Sequence, residues 1–99
     1  QIDYGNSNTG TVTIYTSESN KNVISIDYKL NDGTNYRTGT VTAITDGTTT
    51  SITDITKAEI GDTSEINFIA DLVTGTGELR IRAVADDSGW TYKYIIKNF

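Results

Sequence analysis

The sequence predicts an all-β chain, an antiparallel β-sandwich of about seven strands. Three observations carry this. The 99 residues include 18 Thr, 13 Ile and 5 Val, β-branched types that fit a pleated sheet better than a helix. Short runs with apolar residues at every second position alternate with clusters of Gly, Asn, Asp and Ser, the composition of turns. Asp46-Gly47, between Thr45 and Thr48, is the dipeptide that suits a two-residue hairpin, because a type I′ turn needs positive φ at both central residues.

In chain order, residues 1–10 (QIDYGNSNTG) read as loop-like, an N-terminal extension or a linker from a preceding module, and residues 11–99 as one sandwich domain. The strands are expected at 11–16, 23–30, 36–44, 48–55, 65–73, 78–85 and 90–99. In 23–30, Ile24, Ile26, Tyr28 and Leu30 share one face. In 36–44, Val41 and Ala43 lie on one face while Tyr36 and Ile44 lie on the other, and a bulge at Gly39 would reconcile them. The Thr-rich 48–55 offers little core and reads as an edge, or as a surface that needs a partner.

The last three strands carry the clearest pattern. Taken as a meander through TGTG (74–77) and DDSG (86–89), they place Phe68 beside Ala83 and Ala83 beside Tyr92. They also place Ala70 beside Ile81, and Ile81 beside Tyr94. Ile66, Ala85 and Trp90 form a further row, and Leu72, Leu79 and Ile96 the last. Small residues next to large ones are how a core layer interdigitates. The other face would pair Asp71 with Arg80 and Glu78 with Lys97.

Composition narrows the function. With no His and no Cys there is no Ser-His or Cys-His nucleophile pair and no usual zinc site. Asp86-Asp87 sits in a Ser-Gly turn, where paired carboxylates are solvated rather than set across a cleft. Neither Asp86 and Asp87 nor Asp54, Glu59 and Asp62 form an ordered calcium-loop motif. TGTG lacks the Lys and helix of a phosphate loop. The chain is therefore read as no enzyme, with no catalytic, cofactor-binding or metal residues. A net charge of −5, with Lys and Arg scattered singly apart from Arg80 and Arg82, argues against nucleic acid. No apolar run is long enough for a membrane-spanning helix. A small domain without disulfides commonly gains stability by oligomerising. Tyr15, Tyr36, Val41 and Ile52, assigned to outer faces of the first four strands, are the candidate interface or ligand-contact residues.

Residues 39–97 carry a further frame. It runs from a G-x-V strand through DG to SITD (51–54) and an acidic crossing segment. An I-x-F-x-A-D strand (66–71) and an L-x-I-x-A strand (79–83) follow, and an aromatic, Lys-containing strand closes it after an Asp/Ser/Gly turn. This frame resembles the C-terminal β-domains of bacteriophage virion fibre and tail-associated proteins. The resemblance implies a β-sandwich assembled as a homotrimer, a structural or host-attachment element of a virion. Its implied partners are sister subunits, other virion proteins and a host-surface glycan or protein. The alternative is a secreted or cell-surface, non-catalytic module of the carbohydrate-binding kind, for which Tyr15 and Tyr36 would supply the aromatic platform. A trimer on particles favours the first reading and a monomer the second.

Overall fold

A computed structural model of the chain describes residues 2–7, 10–17, 21–85 and 89–99, with residues 2–7 and 10–12 described by their backbone alone. Eight strands follow one another: β1 (Ile2–Ser7), β2 (Gly10–Thr16), β3 (Val23–Asn31), β4 (Tyr36–Thr45), β5 (Thr50–Ile60), β6 (Asn67–Leu72), β7 (Leu79–Ala85) and β8 (Trp90–Asn98). They form two antiparallel sheets, a five-stranded one in the order β1-β8-β3-β4-β5 and a three-stranded one in the order β2-β7-β6. The all-β sandwich expected from the sequence is the fold observed.

The core lies between the sheets and follows the period-two alternation. Ile24, Ile26, Tyr28 and Leu30 of β3 and, on the neighbouring strand, Trp90, Tyr92, Tyr94 and Ile96 of β8 share the core with Leu79, Ile81, Ala83 and Ala85 of β7 from the other sheet. Phe68, Ala70 and Leu72 of β6 pack against this cluster from one margin. Every side chain expected in the core of the last three strands is there.

The β6–β7 register is the one the sequence predicts: Phe68 pairs with Ala83, Ala70 with Ile81 and Leu72 with Leu79. The β7–β8 pairing is not. β8 leaves the three-stranded sheet and enters the other, where Tyr94 pairs with Tyr28, Tyr92 with Leu30 and Ile96 with Ile26. Alternation specifies which side of a strand is buried, and a strand moved to the facing sheet keeps the same side buried. The alanines of β7 therefore offset the aromatics of β8 across the core rather than within one sheet. The pairing of Glu78 with Lys97 fails for the same reason, since Lys97 lies opposite Ser25.

Three boundaries also differ. The stretch expected to be loop-like at residues 1–10 contains β1, paired with β8 from Ile2↔Ile95 to Ser7↔Trp90. β5 runs on to Ile60, through a segment whose Lys57, Glu59 and Gly61 read as a connector. At its hairpin with β4 the last pair is Thr45↔Thr50, so the loop is four residues long, not two. The Asp46 carboxylate sets that loop by accepting the Thr49 and Thr48 amides at 2.8 and 2.9 Å, with Gly47 at a φ of 97°. The register of β4 on β5 does shift beside Gly39, as Thr38 faces Ala58 and Gly39 faces Thr56. The extra residue is Lys57 on β5, so Tyr36 and Ile44 stay on the outer face.

Candidate functional site

The most elaborate polar structure of the described residues begins with the alternation of β4. Val41 and Ala43 point inward, and so, by the same parity, does Arg37. Arg37 is 7% exposed. A buried guanidinium needs its donors satisfied. Here Nε donates to the Tyr28 hydroxyl (3.2 Å), Nη1 to the Thr63 carbonyl and hydroxyl oxygens (3.1 and 3.2 Å), and Nη2 to the Ile66 carbonyl (3.2 Å). The Asp54 carboxylate lies 3.6 Å from Nη2 and accepts the Tyr28 hydroxyl at 2.7 Å. The guanidinium carbon stands 5.7 Å from the Tyr28 ring centroid and 5.9 Å from that of Phe68, within cation–π range. Burial, then the hydrogen bond to Asp54, pushes the Tyr28 phenol up to about 12.

This cluster ties the crossing segment 61–66, which carries the chain from β5 to β6, onto the five-stranded sheet. Thr63 also donates its hydroxyl to the Glu59 carboxylate, and Ser64 N–H donates to Asp62 at 2.9 Å. Asp54, Glu59 and Asp62, weighed from the sequence as a calcium set, thus each have a separate internal partner, and they do not converge. Asp86 and Asp87 lie outside the described residues. The cluster is a clip: its donors and acceptors are spent on one another.

Gly39 is part of it. An ideal Cβ there would stand 2.3 Å from the Ile55 carbonyl oxygen and 2.8 Å from the Tyr28 hydroxyl. Only glycine lets the tyrosine cross β4 to reach Asp54 on β5.

On the opposite face of β4 and β5, directly behind the clip, lies a shallow hollow of about 230 Å³. Its walls are Lys29, Tyr36, Thr38, Ala58 and Ile60, with Arg37 and Glu59 contributing from their strands. Tyr36 is 39% exposed and donates its hydroxyl to the Gly33 carbonyl at 3.2 Å, which holds the ring along the edge of the hollow. Ile60, 66% exposed, stands at the other side.

Of the four candidate residues, Tyr36 alone reaches this surface. Tyr15 is half-buried on β2, in the other sheet, and donates its hydroxyl to Asn98 Oδ1 at 3.3 Å. A register shift between Thr13 and Tyr15 lets consecutive residues, Ile14 and Tyr15, both pack on the core. Tyr15 and Tyr36 therefore form no common platform. Val41, expected on an outer face, is fully buried between Ile26 and Asp54 in register. Ile52 is half-buried against the core. Lys29, Ala58 and Ile60 were not singled out from the sequence. Ala58 and Ile60 lay in a stretch read as connector, and their alternation becomes legible only once β5 is extended.

No protein-family model matches the chain, and no curated protein matches it. Among solved structures, the chain is similar to the tailspike protein of Acinetobacter phage vB_ApiP_P1, with a TM-score of 0.51 and 15% sequence identity. The match covers 99% of this chain and 21% of the tailspike chain, so this chain spans about a fifth of that protein's length. At such identity the likeness is one of fold: the eight-strand sandwich has a counterpart within a phage tail protein.

Proposed function

We propose that the chain is a non-catalytic structural module of a phage tail appendage, a tailspike or fibre, that assembles as a homo-oligomer, a trimer in the simplest case, and contributes to host attachment. On this reading it stands outside the cell on the virion, against sister subunits and other virion proteins. The observation that supports it is the fold likeness to part of a tailspike over nearly the whole chain. The frame of turns and strands at residues 39–97 leads to the same class. A structural rather than enzymatic role agrees with the carboxylates Asp54, Asp62 and Asp71, each bonded to an internal donor.

The test is immunogold labelling of phage particles with antibodies raised against the purified chain. Gold at the tail is expected, and particles that carry no label, in a lysate where the chain is detected, would overturn the assignment. Incubation of the chain with host envelope polysaccharide should release no new reducing ends; their release would overturn the non-catalytic half. The hollow at Tyr36 also suits the second reading, a secreted or cell-surface binding module. A monomer that retains glycan would favour it.

A further inference from the structure

We propose that the outer face of β4 and β5 is a contact surface for a second copy of this chain. The inference rests on the self-assembly part of the reading above and names where that assembly occurs. Register defines the face: Tyr36 lies beside Ile60, Thr38 beside Ala58, Thr40 beside Ile55, Thr42 beside Thr53 and Ile44 beside Ser51. Every one of these positions is uncharged, in a chain whose residues are 21% charged. It also gathers most of the large apolar side chains that the described residues leave in water. Ile60 is 66% exposed, Ile55 58%, Ile44 50% and Tyr36 39%. A solvated sheet face ordinarily alternates polar and charged residues outward.

The occupant follows from charge. None of these ten positions carries any of the chain's net charge of −5, so two copies can bring them together without opposing like charges there. Lys29 of β3, the neighbour of β4 on the inner side of the sheet, lines the hollow, and Asp27 of the same strand accepts the Thr40 hydroxyl at 2.8 Å. The charges that border the face from β3 are thus one of each sign and offer a strongly acidic or basic partner no net attraction. A second copy supplies both an uncharged Thr and Ile surface and the complement of that lysine. The acidic loop residues Asp32 and Asp62 stand just beyond the row that holds Tyr36 and Ile60. Shape agrees with charge, since the hollow lies directly beside the projecting Ile60, a socket next to a knob. β5 is also the outermost strand of its sheet, and Thr53 to Ile60 are all exposed, so the chain itself leaves the outer face of that stretch in water.

Size sets the strength. At about 3.4 Å per residue and about 4.8 Å between strands, the face has a flat footprint of roughly 340 Å². A standard interface takes about 800 Å² of accessible surface from each partner. Association through this face is accordingly weak and concentration-dependent in the isolated chain.

The experiment is sedimentation velocity on the purified chain over about a hundredfold concentration range. The weight-average mass should climb from monomer towards a multiple. The double variant Ile55→Lys, Ile60→Lys should stay at monomer mass. Ile69→Lys, an exposed apolar position on the three-stranded sheet, should behave as the parent. A parent chain that stays monomeric throughout overturns the proposal and solution self-assembly with it. A double variant that associates like the parent overturns this face while leaving self-assembly standing. Neither result bears on labelling of particles, so the two failures are separable. Hydrogen exchange on the unmodified chain gives a reading without mutation. Amides of β4 and β5 should exchange several-fold more slowly in concentrated than in dilute solution, and equal rates overturn the proposal.

Discussion

Arg37 shows how much of this sandwich turns on single side chains. It supplies hydrogen bonds to the Thr63 and Ile66 carbonyls, and without it the Thr63 oxygen would keep only the Ile66 amide while the Ile66 oxygen would lose its Arg37 donor. Arg37→Met should cost about 3 kcal/mol in denaturant melts, the range for breaking a buried charged network from one side. Tyr28 gives a pH signature. A phenol held at about 12, above its unfolded value of 10.0, binds its proton more tightly in the folded chain. Its contribution is therefore complete below the unfolded value and is lost as pH rises between the two. Alkaline titration should show stability falling in that window, with Tyr28→Phe lacking that limb. The sequence did hold a signal for the clip, because Arg37 shares its parity with Val41 and Ala43. It held none for the partners: Thr63 and Ile66 lie far along the chain, and only the crossing of β5 to β6 brings their carbonyls to the guanidinium.

At the scale of elements, alternation was legible and partnership was not. The inward faces of β3, β6, β7 and β8 can be read residue by residue, as can the β6–β7 hairpin. The neighbour of β8 cannot be, because burial of Trp90, Tyr92 and Tyr94 is the same in either sheet. A surface strand without core residues is harder still: the last third of β5 has no buried position, so nothing in its pattern separated it from a loop. Within the elements, Ala83 is fully buried, and Ala83→Leu should overpack the layer and cost roughly 1–3 kcal/mol by thermal or denaturant unfolding. On the outer side of the β6–β7 hairpin, Arg80 grips Asp71 through two hydrogen bonds of 2.9 Å, and Arg82 also reaches that carboxylate. The bonds from Arg80 hold the Asp71 carboxyl below its ordinary range. A depressed carboxyl stabilises the fold above its unfolded pKa, and that contribution disappears as pH falls through the lower, folded value. Stability should thus drop below about pH 4, and Asp71→Asn should show a shallower acid limb.

The whole molecule is a sandwich of unequal sheets. Three strands face five, Thr53 to Ile60 of β5 stay exposed, and the clip at Arg37 fastens the crossing segment against that stretch. That asymmetry was outside the reach of a pattern-based reading, which sets the number of strands and their buried sides but not how they divide between layers.

The pairing of β1 with β8 has a mechanical consequence. Ile2 lies opposite Ile95, so both ends of the described chain emerge at the same end of the five-stranded sheet, on neighbouring antiparallel strands. Tension applied between residues 2 and 99 would load the ladder one bond at a time, as a zip is opened, rather than all at once. With handles at those positions in an optical trap, β1 should peel away at low force and release roughly 20 Å of chain at about 3.4 Å per residue. Moving the second handle to residue 90 puts the same two strands in shear, and the first rupture should then require a clearly higher force. Under load the order of failure is written into the direction of pulling, and a chain held by its two ends yields first at the strand that closes the sheet.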